Sequence, residues 1–169
     1  MKKINAILLL IVGIFLFTSC SDDDTIGEAR KMTLTEITNT PDYFWFSYEY
    51  EQYKLDTAWL KNIIAVQKPD EYKFVVYTEP SCLCGTDYTY FPKFIKLLDS
   101  AGIMEDNYEI YLMSDTNNLQ PYSQLYKVEA LPSIILLHNG QFIYSVTDSM
   151  KAHSTTLEEE IIRSFYAVN

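Results

Sequence analysis

Two thiols separated by one residue, Cys82-Leu83-Cys84, are the part of this chain best equipped for chemistry. A thiolate is a nucleophile toward disulfides and a ligand for soft metals. Two thiols on one loop can exchange with a disulfide in two steps. One attacks to form a mixed disulfide, and the other releases the product. A disulfide closed across a single residue makes a small, strained ring, and strained disulfides have higher potentials. A cycling pair of this kind suits oxidation or isomerisation better than reduction. Cys-x-Cys with a histidine could instead hold Cu(I). His138 is the candidate inside the folded region, a strand length away, because His153 precedes the last helix. A third reading makes the cysteines a local clasp in a non-catalytic binding module with an acidic, aromatic surface.

The third cysteine belongs to the N-terminus. Lys2 and Lys3 precede an apolar run from Ile4 to Phe17, which Thr18-Ser19-Cys20 closes. This is a secretory signal pattern. At ~14 residues the run is short for a membrane span of ~20. The cysteine at its end resembles a bacterial lipoprotein signal, which implies cleavage after residue 19, lipidation of Cys20 and attachment to the outer membrane. Ser21-Asp22-Asp23-Asp24 is similar to the acidic tag that sends some lipoproteins to the cell surface. Residues 1–19 then form the signal peptide, 20–34 an acidic linker and 35–169 one domain, large enough to bury a core. Loss of Lys2 and Lys3 moves the formal net charge from −10 to −12. That balance argues against nucleic-acid binding and electrostatic docking on anionic lipid.

The elements that must position the cysteines are legible as patterns. Asp42 to Tyr53 alternates, with Phe44, Phe46, Tyr48 and Tyr50 on one side, and predicts a strand. Leu55 to Gln67 predicts a helix and Lys73 to Thr78 an apolar strand. After the cysteine loop, Thr89 to Ala101 predicts a helix with Phe91, Phe94, Ile95 and Leu98 on one face, which Pro92 should start or kink. Tyr108 to Met113 predicts a strand and Pro121 to Lys127 a short helix. Ser133 to Leu137 and Gln141 to Val146 predict a hairpin across Asn139-Gly140. Thr155-x-x-Glu158 predicts a capping box opening a last helix with Leu157, Ile161, Ile162 and Phe165 on its buried face.

That order resembles the thioredoxin superfamily over about residues 35–168. The most specific segment is Val128-Glu129-Ala130-Leu131-Pro132-Ser133-Ile134-Ile135-Leu136-Leu137-His138-Asn139-Gly140, similar to the family's cis-proline segment. The resemblance implies an α/β fold, a three-layer α/β/α sandwich with a central mixed sheet. It implies that Pro132 is cis and that Leu131 and Pro132 shape a substrate groove beside the cysteines. It implies Cys82 as nucleophile, Cys84 as resolving thiol, and protein thiols or disulfides of the envelope as partners. Pro92 resembles the family's helix-kinking proline. Ser81 stands where the family has an aromatic residue, and Val75 and Val76 where it has a buried acid. Glu79, at the loop edge, is expected to be solvated. The peroxidase pattern Pro-x-x-x-Thr-x-x-Cys is not met by Thr78-Glu79-Pro80-Ser81-Cys82. Five glycines and no glycine-rich phosphate loop leave no nucleotide, flavin or haem motif, so no cofactor and no resident metal is expected.

Overall fold

The computed structural model of the protein describes residues 27–67, 72–80 and 87–167. The segment expected to be a signal peptide, Cys20, the acidic run 21–24, Cys82 and Cys84 lie outside the described residues. Five strands form one mixed sheet: β1 (Arg30–Met32), β2 (Tyr72–Thr78), β3 (Tyr108–Leu112), β4 (Ser133–His138) and β5 (Gln141–Ser145), in the order β1-β3-β2-β4-β5. β2 and β3 are parallel, while β1 lies antiparallel to β3, β4 to β2, and β5 to β4. β1 falls within the segment expected to be linker, so the folded part begins earlier than residue 35. β2 is central, and all of its residues but Lys73 are buried, as a strand covered on both faces requires.

The described residues also form six helices: α1 (Leu34–Asn39), α2 (Phe44–Gln52), α3 (Thr57–Val66), α4 (Tyr90–Ala101), α5 (Val146–His153) and α6 (Leu157–Tyr166). Thr33 and Glu36 close a capping box on α1, and Asp56 caps the Ala58 N–H of α3. Pro92 is the third residue of α4, where its missing N–H would have been unpaired anyway. It starts this helix rather than interrupting it. Gly102, at φ 76°, ends the helix in the left-handed region. Residues from all six helices join Phe74, Val76, Ile110, Ile134 and Leu136 in the larger core, on one face of the sheet.

Several expectations need correction. Asp42 to Tyr53 is not a strand. Pro41 to Tyr43 make a 3-10 turn that leads into α2. Aromatic residues on both faces of an alternating pattern also contain a helical stripe. Tyr43, Phe46 and Tyr50 pack inward, while Phe44 and Tyr48 are 72% and 63% exposed. Pro121 to Lys127 is not a helix but a run of turns. The buried Gln120 amide takes the backbone groups a helix would use: Oε1 accepts from the Tyr122 N–H at 2.7 Å, and Nε2 donates to the Tyr126 carbonyl at 2.9 Å.

Among the described residues, the second sheet face is covered by this β3–β4 connection, through Met113, Tyr122, Tyr126 and Val128, and not by a second helical layer. The α/β class and the mixed sheet hold. Lastly, the final capping box is one residue later, Thr156 with Glu159, and α5 stands where no helix was expected. Its eight residues carry only a short apolar stripe, Val146 and Met150. Its start is marked by Ser145, whose side chain accepts from the Asp148 N–H at 3.3 Å. The hairpin turn is as expected, with Asn139 at φ 50° and Gly140 at φ 74°.

Candidate functional site

β2 carries the chain to the cysteine segment. Its last residues, Tyr77 and Thr78, pair with Ser133 of β4 and Leu112 of β3 respectively. The Met113 N–H then donates to the Thr78 carbonyl at 2.8 Å. One step before Ser133 is the Leu131–Pro132 peptide, which is cis. The ends of β2 and β3 and the start of β4 thus meet where Glu79 and Pro80 lead into residues 81–86. The chain returns through a 3-10 turn, Asp87–Thr89, into α4. This is the carboxyl edge of the parallel pair, where open α/β sheets form crevices. Leu131 is half-buried and Pro132 buried. Thr89 gives α4 no side-chain cap. First-turn amides and the helix dipole favour an anion, including a thiolate, near such an end.

Tyr126 holds the proline side of this edge. Its hydroxyl donates to Asp148 Oδ2 at 2.7 Å and lies 3.0 Å from Ser133 Oγ, the residue after Pro132. Its ring stacks on Phe142 at 5.2 Å. Burial, with Asp148, pushes this phenol up to about 12 against the hydrogen bonds of Ser133 and Ser145. Tyr77 donates to Gln120 Oε1 at 2.6 Å, which ties β2 to the same connection. None of these partners was predicted from sequence. The Tyr and Ser residues at 122, 126 and 133 carry no spacing signal, because a connection of turns brings them together.

The opposite side is built by the aromatic segment expected to be a strand. Trp45 Nε1–H donates to the Pro80 carbonyl at 3.3 Å, and its ring stands edge-on to Tyr88 at 5.2 Å. Tyr43 is 1% exposed and packs on Trp45 and Phe91. Burial pushes its phenol far above the ordinary tyrosine value. The dense aromatic run was the available signal for both residues, and the strand reading hid it by assigning the faces with the wrong period.

Val75 and Val76 are fully buried, and no acid stands beside them on β2. The fully buried carboxylate among the described residues is Glu160 of α6. Burial raises its pKa. Hydrogen bonds from Thr155 at 2.5 Å and from Tyr144, with the charges of Arg163 and His153, outweigh that and hold it below the ordinary glutamate value. It is ionised at neutral pH and belongs to the α5–α6 corner. Glu79 is half-buried.

His138 pairs with Tyr72 at the start of β2 and stacks on its ring at 4.9 Å. Thr78 is six steps further along, about 20 Å at ~3.3 Å per residue. The register therefore puts His138 at the far end of β2 from the residues leading into the cysteine segment. Among the described residues, no group of three His, Cys, Asp or Glu side chains is placed to hold a metal ion, and no helix is long and apolar enough to cross a membrane. Leu131 and Pro132 lie just before Ser133, which pairs with Tyr77 near the end of β2. Cys82, Cys84 and Cys20 lie outside the described residues. No protein-family model matches this chain, and no curated protein matches it.

Proposed function

We propose that the chain is a thioredoxin-like envelope protein that carries out thiol–disulfide exchange, oxidant or isomerase-like, with Cys82 and Cys84 as its redox pair. Lipid on Cys20 anchors it to the outer membrane, and Ser21 to Asp24 direct it toward the cell surface. The observation that carries the reading is the register. It sets the Leu131–Pro132 segment beside the end of β2 that runs directly into Cys82-Leu83-Cys84. The strand order and the crossover through α4 are consistent with it.

In isomerisation, the Cys82 thiolate attacks one sulfur of a substrate disulfide. A mixed disulfide forms and the other substrate sulfur leaves as thiolate. A second substrate thiolate then attacks the mixed disulfide, which gives a rearranged disulfide and returns Cys82, with no net electron transfer. In oxidation, a substrate thiolate opens the Cys82–Cys84 disulfide and releases Cys84 as thiolate. A second substrate thiolate then releases Cys82, and two electrons remain on the pair. An envelope disulfide partner accepts them.

The test is a redox titration of the full chain in detergent, with Cys82 and Cys84 read by alkylation and peptide mass. Reversible closure at a potential well above thioredoxin's ~−270 mV is the expected result. Cys82→Ser should abolish exchange with a disulfide-bonded protein substrate. Thiols that never pair, a disulfide that never opens, or unchanged exchange in Cys82→Ser would each reject the proposal and leave a binding module.

A further inference from the structure

The sheet is cut short beside β1. β2 pairs with β3 from Tyr108 to Leu112, whereas β1 pairs with it only from Ile110 to Leu112. Thr33, the residue after β1, turns away as the N-cap of α1. Tyr108 and Glu109 therefore have a strand on one side only. A crevice of about 340 Å³ opens beside them, between the end of β1 and the 3-10 turn Glu105–Asn107. That volume lies within the ~300–1,000 Å³ range of small-ligand pockets. Buried Tyr108 and Ile110 give it an apolar part held by the sheet.

The charges that line this crevice are sorted by sign. Lys31 and Lys73 meet at Glu109, on the face covered by the β3–β4 connection, and both donate to its Oε1, at 2.8 and 3.4 Å. Tyr111 and Tyr122 occupy Oε2, so Glu109 has little accepting capacity left. Each ammonium has three N–H donors and spends one here, which leaves two for a ligand. This end of the crevice carries one net positive charge. Glu105 lies at the α1 end, where it accepts the Leu34 N–H at 3.0 Å through Oε1. Asp106 beside it has no hydrogen bond or ion pair among the described residues. This second end carries two negative charges. A simple anion at the lysines would face Glu105 and Asp106, and a simple cation at the acids would face two ammonium groups. A molecule with one charge of each sign satisfies both ends.

We propose that this crevice binds a small zwitterion, its carboxylate taken by Lys31 and Lys73 and its ammonium by Glu105 and Asp106. Amino acids and short peptides have this chemistry. The site uses neither Cys82 nor Cys84, so it stands or falls separately from thiol exchange. The test is isothermal titration of the full chain in non-ionic detergent, at low ionic strength, where exposed charges are least screened. The probes are alanyl-alanine, its N-acetyl form, which lacks the ammonium, and its C-terminal amide, which lacks the carboxylate. Alanyl-alanine should bind saturably and about tenfold tighter than either blocked form, the loss expected for one charged hydrogen bond. Lys73→Met should weaken alanyl-alanine about tenfold and leave the amide unchanged. Asp106→Asn should do the same for alanyl-alanine and leave the N-acetyl form unchanged. Both positions reach solvent, and a merely structural change would not pair each variant with one end of the ligand. Free alanine, titrated alongside, tells an amino acid from a peptide by which zwitterion binds more tightly. No saturable binding of either zwitterion, a blocked form as tight as alanyl-alanine, or unchanged affinity in both variants would overturn the proposal.

Discussion

Glu109 offers a quantitative test of how the sheet is held. It lies on β3 on the face covered by the β3–β4 connection, with its side chain 11% exposed. Lys31 of β1 reaches Oε1 at 2.8 Å and Lys73 of β2 at 3.4 Å, while Tyr111 and Tyr122 donate to Oε2 at 3.1 and 2.8 Å. One carboxylate thus links three strands and the covering connection. Burial raises its pKa, but the hydrogen bonds from Lys31, Tyr122 and Tyr111 and the charge of Lys73 take it from the ordinary 4.5 to about 2. At 1.36 kcal/mol per pH unit this is about 3 kcal/mol. The lysines are 59% and 42% exposed, so screening reduces the figure to about 2 kcal/mol. The folded value is the lower one. The stabilisation is therefore complete above pH 4.5 and is lost as pH falls toward 2. Glu109→Gln should lower stability by about 2 kcal/mol at pH 7, or roughly 4–8 °C in Tm for a domain of this size. Urea unfolding of both proteins, followed by tryptophan fluorescence at pH 7, 4 and 3, should show the gap narrowing with acid. An equal gap at pH 7 and pH 3 would refute the reasoning.

Four further substitutions test the local structure. Phe46→Ala should cost ~3–5 kcal/mol in urea unfolding, whereas Phe44→Ala and Tyr48→Ala should each stay within ~0.5 kcal/mol. Similar costs for all three would restore the strand, in which they share a face. Gly140→Ala meets open space but a φ of 74°, so its cost is conformational, about 1 kcal/mol by the same assay. A neutral result would place the turn outside the left-handed region.

Much of this architecture could be read locally. α3, α4 and α6, the strands β2 to β5 and the Asn139-Gly140 turn were all signalled by periodicity, caps or turn residues. So were Leu131 and Pro132, as a segment placed before β4. These signals are local because a helix or strand needs only its own stripe and its own end groups. The segment from Asp42 to Tyr53 defeated the same reasoning. With aromatic residues on every side it satisfies both periods, and packing against α4 settled which side chains turn inward. Gln120 and the tyrosines of the β3–β4 connection were silent for a different reason. Their hydrogen bonds join residues that only the closed sheet brings near.

The chain's order and spacing established a mixed α/β domain and a cysteine pair between β2 and α4. The tertiary structure decided what surrounds that pair's flanks. It placed Tyr43 and Trp45 on one side, the cis Leu131–Pro132 peptide and Tyr126 on the other, and His138 at the far end. Strand register and helix packing make these choices, because they depend on which buried faces fit together and no short stretch of sequence encodes that fit.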